Sequence, residues 1–349
     1  MSDLLQPSPT LEDVARAAGL SRSTVSRVIN GTRNFDPAVR EAVQRAIAAT
    51  GYVPNLAARS LVGSRTGTVA LVVSGAGDPP DGDENAHQRE VFADPFFGRV
   101  ANGVTRFLRP RGVHPVLISA ETDEDHRHVL AYLKRGNADG AILVSTHADD
   151  PLPALFPGTG LHAVLFARPA RPLPISYVDI AHQEGAALAA EHLLARGCRR
   201  VATICGPLDV PAAQDRLAGF RTAMARHGYP YIPHVEGIFT LESGETATGR
   251  LLDEYPEVDG IFAANDLMAQ GALLTLRDRG RRVPEDVAVV GFDDSSAAVA
   301  CRPMLTTVRQ PVEDMAAEMT RMLLDHIEKP NQPIGSRIFD PVLIVRQSA

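Results

Sequence analysis

Three short helices are predicted in the first fifty residues, where apolar positions recur every three or four residues. Thr10 and Asp13 have the spacing of a capping box and start the first helix. Ser21 is placed to cap a second helix, and Asp36, followed by proline, opens a third. The apolar stripe of the second helix consists of Val25, Val28 and Ile29.

From about Thr66 onward, apolar runs of strand length alternate with amphipathic helices. This alternation predicts parallel sheets covered by helices on both faces. The length of the alternating region favours two similar lobes over a single sheet. The predicted strands are 69–74, 115–119, 141–145, 163–167, 201–205, 260–264, 287–292 and 342–345. The predicted helices are 96–109, 123–135, 182–196, 212–227, 243–255, 266–279 and 312–328.

Two segments interrupt this rhythm. Residues 55–67 are rich in alanine and end in Gly and Ser, which suits a linker with one marginal helical turn. Residues 75–93 are rich in Gly, Pro, Asp and Glu and lack the spacing of an EF-hand. We therefore expect a solvated acidic loop there and assign it no metal.

The second predicted helix begins two residues after the first has ended, as in a helix-turn-helix. This arrangement leaves its leading face open to the major groove of DNA. Arginine on such a face can pair with guanine, and hydroxyls can bind bases or phosphates. A helical hairpin with solvated arginines is the alternative. The outward side chains are Arg22, Ser23, Ser26 and Arg27.

The distribution of charge separates the segment that contains the helix-turn-helix from the rest of the chain. The net charge is −7, but residues 1–66 hold eight Arg against five Asp and Glu, which leaves 27 Lys and Arg against 37 Asp and Glu elsewhere. A basic end on an acidic body suits a protein in which one end meets a polyanion. A chance asymmetry of a few charges would look the same, so charge only supports the helix-turn-helix.

Several further segments accompany the helix-turn-helix, which runs from Thr10 to Asn30 as TLEDVARAAGLSRSTVSRVIN. Together they closely resemble the lactose-repressor (LacI/GalR) family of regulators over nearly the whole chain. The further segments are GYVPN at 51–55, AARSL at 57–61, EHLLARG at 191–197, AND at 264–266, VGFDD at 290–294 and LTTVRQP at 305–311.

The resemblance implies a homodimer that binds a palindromic double-stranded operator. It also implies a hinge that folds into a helix on DNA and wedges Leu61 into the minor groove, which bends the duplex. Packing of Leu61 on the headpiece is the alternative. The expected DNA-binding residues are Thr10, Ser21, Arg22, Ser23, Ser26, Arg27, Asn30 and Leu61.

The same resemblance implies the domain organisation. An all-α helix-turn-helix headpiece at 1–54 and a hinge helix or linker at 55–66 precede an α/β body at 67–349. The body is expected to have the periplasmic-binding-protein fold, two lobes with doubly wound parallel sheets joined by three crossovers. The N-lobe is expected at about 67–168 and 297–328, and the C-lobe at about 169–296 and 329–349.

A ligand cleft is expected between the lobes, where loops at the carboxyl ends of parallel strands converge. Arg and Asp can share paired hydroxyls and aromatic faces can cover a pyranose, so the expected ligand is a mono- or oligosaccharide. Asp266 could instead cap the next helix, Arg216 could pair with a carboxylate, and Phe97 and Phe292 could be core. The expected effector-binding residues are Asp94, Phe96, Phe97, Arg168, Arg216, Asp266 and Phe292.

The function implied is a repressor of carbohydrate-utilisation genes, with a sugar inducer favoured over a corepressor. Motifs for nucleotide binding, serine hydrolysis or zinc proteolysis are missing, so no enzyme, cofactor or metal site is expected. A sugar-transport receptor would need export and would carry no helix-turn-helix. With no signal peptide and no apolar run of membrane-spanning length, we expect a cytoplasmic, nucleoid-associated protein. The three cysteines lack metal-site spacing and are predicted to be buried.

Overall fold

The computed structural model describes residues 9–29, 35–52, 65–74 and 95–349. The predicted contacts of Asn30, Leu61 and Asp94 and the acidic loop at 75–93 lie outside these ranges. The chain divides into two compact units: Met1–Gly67 with Arg135–Asn137, and Thr68–Lys134 with Ala138–Ala349.

The first unit contains the three predicted helices, α1 (Leu11–Ala18), α2 (Arg22–Ile29) and α3 (Pro37–Thr50). The Thr10 and Asp13 capping box is present at the start of α1, and the Asp36 side chain accepts a hydrogen bond at the start of α3. These caps satisfy amide groups that a helix leaves without partners in its first turn. The core of this small bundle is formed by Val14, Ala15, Val25, Val43 and Ala46.

The second unit alternates strands and helices, as the hydrophobic pattern predicts. Its strands are β1 (Thr68–Ser74), β2 (His114–Ala120), β3 (Ala141–Ser145), β4 (Ala163–Phe166), β5 (Ser176–Ile180), β6 (Val201–Cys205), β7 (His234–Glu236), β8 (Gly260–Ala263), β9 (Ala288–Asp293), β10 (Thr306–Arg309), β11 (Ser336–Phe339) and β12 (Val342–Ile344). Its helices are α4 (Pro95–Leu108), α5 (Asp123–Lys134), α6 (His182–Ala195), α7 (Pro211–Arg226), α8 (Leu241–Glu254), α9 (Asp266–Asp278), α10 (Ser296–Ala300) and α11 (Val312–Glu328).

The strands of the described chain form two sheets of six. The first has the order β11-β5-β4-β3-β1-β2 and is parallel, and the second has the order β12-β10-β9-β8-β6-β7. Only the pairing of β10 with β12 is antiparallel among the described pairs. The predicted fold class, a helical headpiece before a two-lobed doubly wound body, is confirmed.

Each sheet is covered on both faces, so strands such as β1 and β6 are apolar along nearly their whole length. Helices α4 and α11 cover one face of the first sheet, and α5 lies on the other. In the second sheet, α6 and α7 pack opposite α8 and α9. Cys198, Cys205 and Cys301 are buried free thiols in these layers, as predicted.

The described chain passes between the two sheets three times. It crosses after β5, again after β10, and a third time between β11 and β12. Helix α11 follows the second crossover and packs on the first sheet, against β3, β4 and β5. The lobes are therefore joined by three short connections, which lie beside one another at the β5 and β10 sides of the sheets.

The predicted limits of the lobes need correction. Strand β5 (Ser176–Ile180) pairs in the first sheet although its residues were assigned to the C-lobe. Strand β10 (Thr306–Arg309) pairs in the second sheet, and β11 (Ser336–Phe339) pairs in the first, again opposite to the prediction. The points at which the chain changes sheet depend on which strands pair. These three strands and β7 contain polar residues, so the hydrophobic pattern did not predict them as strands.

No helix within the described ranges combines the length and hydropathy needed to cross a membrane. The same ranges contain no group of three or more His, Cys, Asp or Glu side chains arranged to hold a metal ion.

Candidate DNA-reading helix and effector cleft

The start of α2 is fixed by a serine cap. The Ser21 hydroxyl accepts a hydrogen bond from the Thr24 amide at 3.1 Å and lies 2.9 Å from the Ser23 hydroxyl. Val25 is completely buried against α1 and α3, whereas Arg22, Ser23 and Arg27 are exposed. The helix therefore presents two arginines and a hydroxyl to the surroundings, as the sequence predicts, with Ser26 half-buried beside them.

Arg22 and Thr10 are among the predicted DNA-binding residues that have partners inside the headpiece. The Arg22 guanidinium lies 2.9 Å from Glu12, and both side chains are more than half exposed. The Thr10 hydroxyl donates to Asp13 at 2.7 Å and completes the cap of α1. The cap and the ion pair together position the first turns of α1 and α2.

The carboxyl ends of both sheets face one another across a cleft in the body. The cavity between them has a volume of about 1450 Å³, larger than the roughly 300–1,000 Å³ of sites for drug-sized ligands. Of the predicted effector residues, Phe96, Phe97, Arg168 and Arg216 line this cavity.

Aromatic rings form one wall on the N-lobe. Phe96 and Phe97 lie in the first turn of α4, with ring centroids 5.2 Å apart in an edge-on arrangement. Phe96 also meets Phe166, the last residue of β4, at 5.1 Å. Edge-to-face packing holds these rings in fixed orientations, so they present a rigid apolar surface of the kind that covers a sugar ring.

Arg168 connects the lobes across the cleft. It follows β4, and its guanidinium lies 2.5 Å from the carboxylate of Asp215 on α7 in the opposite lobe. Gln183 donates to the other oxygen of Asp215 at 2.8 Å, and the Arg168 amide donates to Asp179. Arg168 and Asp215 are thus a charged, partly exposed pair where a polar ligand would lie.

Arg216 is a buried cation in the wall of the cleft. Its guanidinium donates to the Ala264 carbonyl at 2.5 Å and to the Gln310 side chain at 3.1 Å, and it lies 3.6 Å from the carboxylate of Asp293. The ring of Phe292 stacks beneath it, 3.8 Å from the guanidinium carbon. The pairing with a carboxylate, left open by the sequence, is therefore present in a residue that also faces the cavity.

Two predicted effector residues are not brought into the cleft wall. Asp266 is 1% exposed, and its carboxylate accepts from the Ser295 amide at 2.7 Å and the Thr307 hydroxyl at 2.6 Å. Burial raises the pKa of this carboxyl to about 7. Phe292 is fully buried beneath Arg216. These two side chains support the wall from behind and do not line it.

Asn265, and not Asp266, caps the following helix. Asn265 is the N-cap of α9, and its side-chain oxygen accepts from the Met268 amide at 2.8 Å. Its side-chain nitrogen donates to the Phe239 carbonyl at 2.8 Å. Asn265 lines the cavity, so one asparagine both starts the helix and fixes a loop of the site.

Phe239 is a lining residue that sequence reasoning missed. Its φ is 64°, in the left-handed region that a bulky residue rarely adopts, and Asn265 holds it there. A Cβ added at Gly206 would lie 2.2 Å from its ring, so the ring rests directly on that backbone. Strained backbone held by its surroundings is a mark of functional sites. The sequence signal is a lone aromatic in the loop between β7 and α8.

A second pair bridges the lobes farther from the crossovers. The Nδ1 atom of His147, which follows β3, lies 2.7 Å from the carboxylate of Asp209, which follows β6. The Ala148 amide donates to the Asp209 carbonyl at 3.1 Å. The cleft is therefore spanned by polar contacts at two depths, His147 with Asp209 and Arg168 with Asp215.

A helix-turn-helix in front of a two-lobed body with a ligand-sized cleft defines the class of ligand-controlled DNA-binding regulators. Residues 10–55 match the family model for bacterial regulatory proteins of the lacI family, and residues 190–349 match the model for a periplasmic binding protein-like domain. The chain belongs to the lacI family of transcriptional regulators, which confirms the resemblance drawn from its motifs.

Relatives match over nearly the full length. The HTH-type transcriptional regulator CelR of Thermobifida fusca is 45% identical over 345 residues, 97% of this chain and 98% of CelR. The ribose operon repressor of Halalkalibacterium halodurans is 34% identical over 343 residues, 97% of this chain and 96% of that protein. These relatives are regulators of transcription, so the expectation of a regulator and not an enzyme is confirmed.

Two solved structures share the architecture. A CelR–cellobiose complex is 43% identical, with a TM-score of 0.74, and the match covers 98% of this chain and 100% of that one. A lac repressor dimer bound to operator and the anti-inducer ONPF is 26% identical, with a TM-score of 0.84, and the match covers 98% and 99%.

Proposed function

We propose that this protein is a homodimeric repressor of carbohydrate-utilisation genes that releases a palindromic operator when a β-linked glucose disaccharide such as cellobiose fills the cleft. The observation that carries the proposal is the cleft itself, in which aromatic rings on both lobes flank the Arg168–Asp215 ion pair and the His147–Asp209 contact. Rings cover the apolar faces of a pyranose, and Arg–carboxylate pairs exchange their mutual hydrogen bonds for vicinal hydroxyls.

Size favours more than one sugar ring. The cavity of about 1450 Å³ extends from the Phe96 and Phe97 pair to Phe239 on the opposite lobe, with Arg168 and Arg216 among its lining residues. A monosaccharide could contact only part of this wall. The relative whose complex contains cellobiose is 43% identical over nearly the whole chain, which supports a disaccharide of the same chemistry.

DNA binding is assigned to the exposed face of α2. Arg22 and Arg27 are positioned for base or phosphate contacts in the major groove, with Ser23 beside them. Thr10, Ser21, Ser26, Asn30 and Leu61 remain proposed DNA contacts on the strength of the family motif. One headpiece per chain reads half a site, so a dimer and a two-fold symmetric operator follow. The operator is met in the cytoplasm, on the nucleoid.

The switch is proposed to work through closure of the lobes. Ligand contacts from both sheets favour one lobe arrangement, and a hinge that is stable only when paired responds to that arrangement. The ligand then acts as an inducer. We assign the effector contacts to Phe96, Phe97, Arg168 and Arg216, with Phe239 and Asn265 added, and keep Asp94 as a proposed contact.

The test is a titration of the full-length protein with cellobiose, followed by thermal unfolding and by anisotropy of a labelled operator. Cellobiose at 100 times its Kd should stabilise the fold by about 2.7 kcal/mol and release the operator. Ribose and lactose serve as comparison sugars. Arg216→Ala should abolish the response to cellobiose while retaining ligand-free operator binding. A protein that does not bind cellobiose, or that binds ribose or lactose as tightly, would contradict the assignment, as would an Arg216→Ala variant with a normal response.

A further inference from the structure

A chain of three buried polar residues leads from the first crossover into the cleft: Asp179 on β5, His182 at the start of α6, and Arg216 on α7. We propose that neutral His182 is a positioning residue that holds Arg216 in its cleft-lining place, and that protonation of this imidazole releases Arg216 and weakens effector binding. The second half rests on the proposed function, in which Arg216 contacts the sugar.

The carboxylate of Asp179 selects the tautomer of His182. Its Oδ1 atom lies 3.3 Å from Nε2 of the imidazole. An ionised carboxylate can only accept hydrogen bonds, so Nε2 carries the proton and donates it. Burial acts to raise the pKa of Asp179, but hydrogen bonds from His182 and from the amides of Ile180 and Arg168 together hold that pKa below its ordinary value. Asp179 therefore stays ionised and keeps the tautomer fixed.

The other ring nitrogen then becomes an acceptor for Arg216. The Nε–H group of Arg216 donates to Nδ1 of His182 over 3.3 Å. A guanidinium has donors only, and an imidazolium has donors only. A proton on Nδ1 would therefore replace this hydrogen bond with two N–H groups pointed at each other and two positive charges in contact. The geometry tolerates only the neutral imidazole.

Arg216 transmits this constraint to the site. The same guanidinium bonds to Ala264 at the end of β8 and to Gln310 at the second crossover. His182 lies at the first crossover, so Arg216 ties two of the connections between the lobes to a cavity-lining position. Losing the Nε hydrogen bond frees the guanidinium to turn on the Phe292 ring that supports it.

The charged groups around His182 agree with this assignment. Asp179 faces it from β5, Asp215 and Arg216 face it from α7, and Asp293 approaches Arg216 from β9. Burial lowers the pKa of His182, the charge of Arg216 lowers it further, and Asp179 and Asp215 act in the opposite direction. The net lowering keeps the ring neutral at pH 7. Acid below the ordinary histidine range, about 6.5, is required to protonate it.

Positioning is tested without ligand by crystal structures of His182→Gln and His182→Leu at pH 7.5. Glutamine can accept from Arg216 and donate to Asp179, so the guanidinium should keep its contacts with Ala264 and Gln310. Leucine can do neither, so the guanidinium should move. An unmoved Arg216 in the leucine variant would show that His182 does not position it.

The coupling to binding is tested by calorimetric titration with cellobiose at pH 7.5 and pH 5.5. Wild type should lose affinity at the lower pH, by up to about tenfold, because a histidine pKa below the ordinary value of about 6.5 limits how far protonation at pH 5.5 can oppose binding. His182→Gln should bind comparably at both values, and His182→Leu weakly at both. His128→Gln, at an exposed His128–Glu124 pair on α5, is the matched control and should follow wild type.

The outcomes separate the two proposals. A His182→Gln variant with the full pH dependence of wild type would overturn the role of His182 protonation. If no variant binds cellobiose at either pH, the proposed effector is wrong. The crystal structures still decide in that case whether His182 positions Arg216.

Discussion

His147 and Asp209 lie 2.7 Å apart on opposite lobes, where the loop after β3 meets the loop after β6. The imidazole is 23% exposed and the carboxylate 60%, so the contact is partly screened by solvent. With the backbone hydrogen bond from Ala148 to Asp209, it holds the two walls of the cleft together at a distance from the crossovers.

Removing this bridge should favour open lobes and weaken effector binding modestly. Partly exposed polar side-chain pairs contribute about 0.2–1 kcal/mol, so His147→Ala and Asp209→Ala should each raise the cellobiose Kd by about 1.5- to 5-fold. Calorimetry on both variants and on the double variant gives the coupling energy. His128→Ala, which disrupts an exposed pair within one helix, is the control. Fully additive effects in the double variant would show that the pair does not act as a bridge.

Gly206→Ala should damage the site without damaging the headpiece. The new Cβ would lie 2.2 Å from the ring of Phe239, which would have to leave the position that lines the cleft. We expect a loss of cellobiose affinity of about 5- to 150-fold, in line with a cost of about 1–3 kcal/mol for overpacking. Operator binding without sugar should be unchanged. Gly335→Ala, where nothing lies within 4 Å of the added Cβ, is the matched control. Normal sugar affinity in Gly206→Ala would exclude Phe239 as a contact.

Arg22→Ala and Arg27→Ala should weaken operator binding by about 1–3 kcal/mol each if they contact bases, and phosphate contacts should also reduce the salt dependence. Both arginines are exposed and outside the buried stripe, and the Arg22–Glu12 pair lies on the surface where ion pairs add little stability, so the melting temperature should be almost unchanged. Arg277→Ala, an exposed arginine on α9, controls for loss of charge. Anisotropy at several salt concentrations is the measurement. Unaltered affinity in both variants would mean that another surface reads the operator.

Asp266 predicts a specific pH dependence of stability. Its carboxyl has a pKa of about 7 in the folded protein, raised by burial from an ordinary value of 3.8. Between these values the folded state holds a proton that the unfolded chain has released, so this group's contribution to stability falls as pH rises from about 4 to about 7. Urea unfolding of wild type and Asp266→Asn at pH 5 and pH 8 measures it. Relative to the variant, wild type should be less stable at pH 8 than at pH 5. An equal difference at both values would contradict the raised pKa.

The parts predicted well from the sequence depend on local signals. Thr10, Ser21 and Asp36 cap the headpiece helices as predicted, because capping depends on spacing along the chain. Arg216 was predicted from the family resemblance and lies in the cleft wall. Strands with uninterrupted apolar runs, such as β1 and β6, were also located within a residue or two.

The parts that were missed depend on pairing between distant segments. β11 contains Ser and Arg on an exposed edge, so its pattern is not that of a buried strand, and only its pairing with β5 identifies it. Phe239 takes its position from Gly206 and Asn265, which lie elsewhere in the chain. Asn265 and Asp266 are adjacent, but Asn265 lines the cavity and Asp266 is buried behind it. The sequence alone does not show which of two neighbouring side chains faces the cavity.

The order of the strands also bears on how the body is made during translation. The first sheet is completed by β11 and the second by β12, the last two strands in chain order, and each lobe contains segments that are distant in sequence. Domains that are continuous in sequence can fold one after another during synthesis. In this body, neither sheet can be completed until the ribosome has synthesised the last strands. The headpiece, whose three helices are local, is free to fold long before the cleft exists. A nascent chain could therefore hold a DNA-reading unit before it has a working sugar sensor.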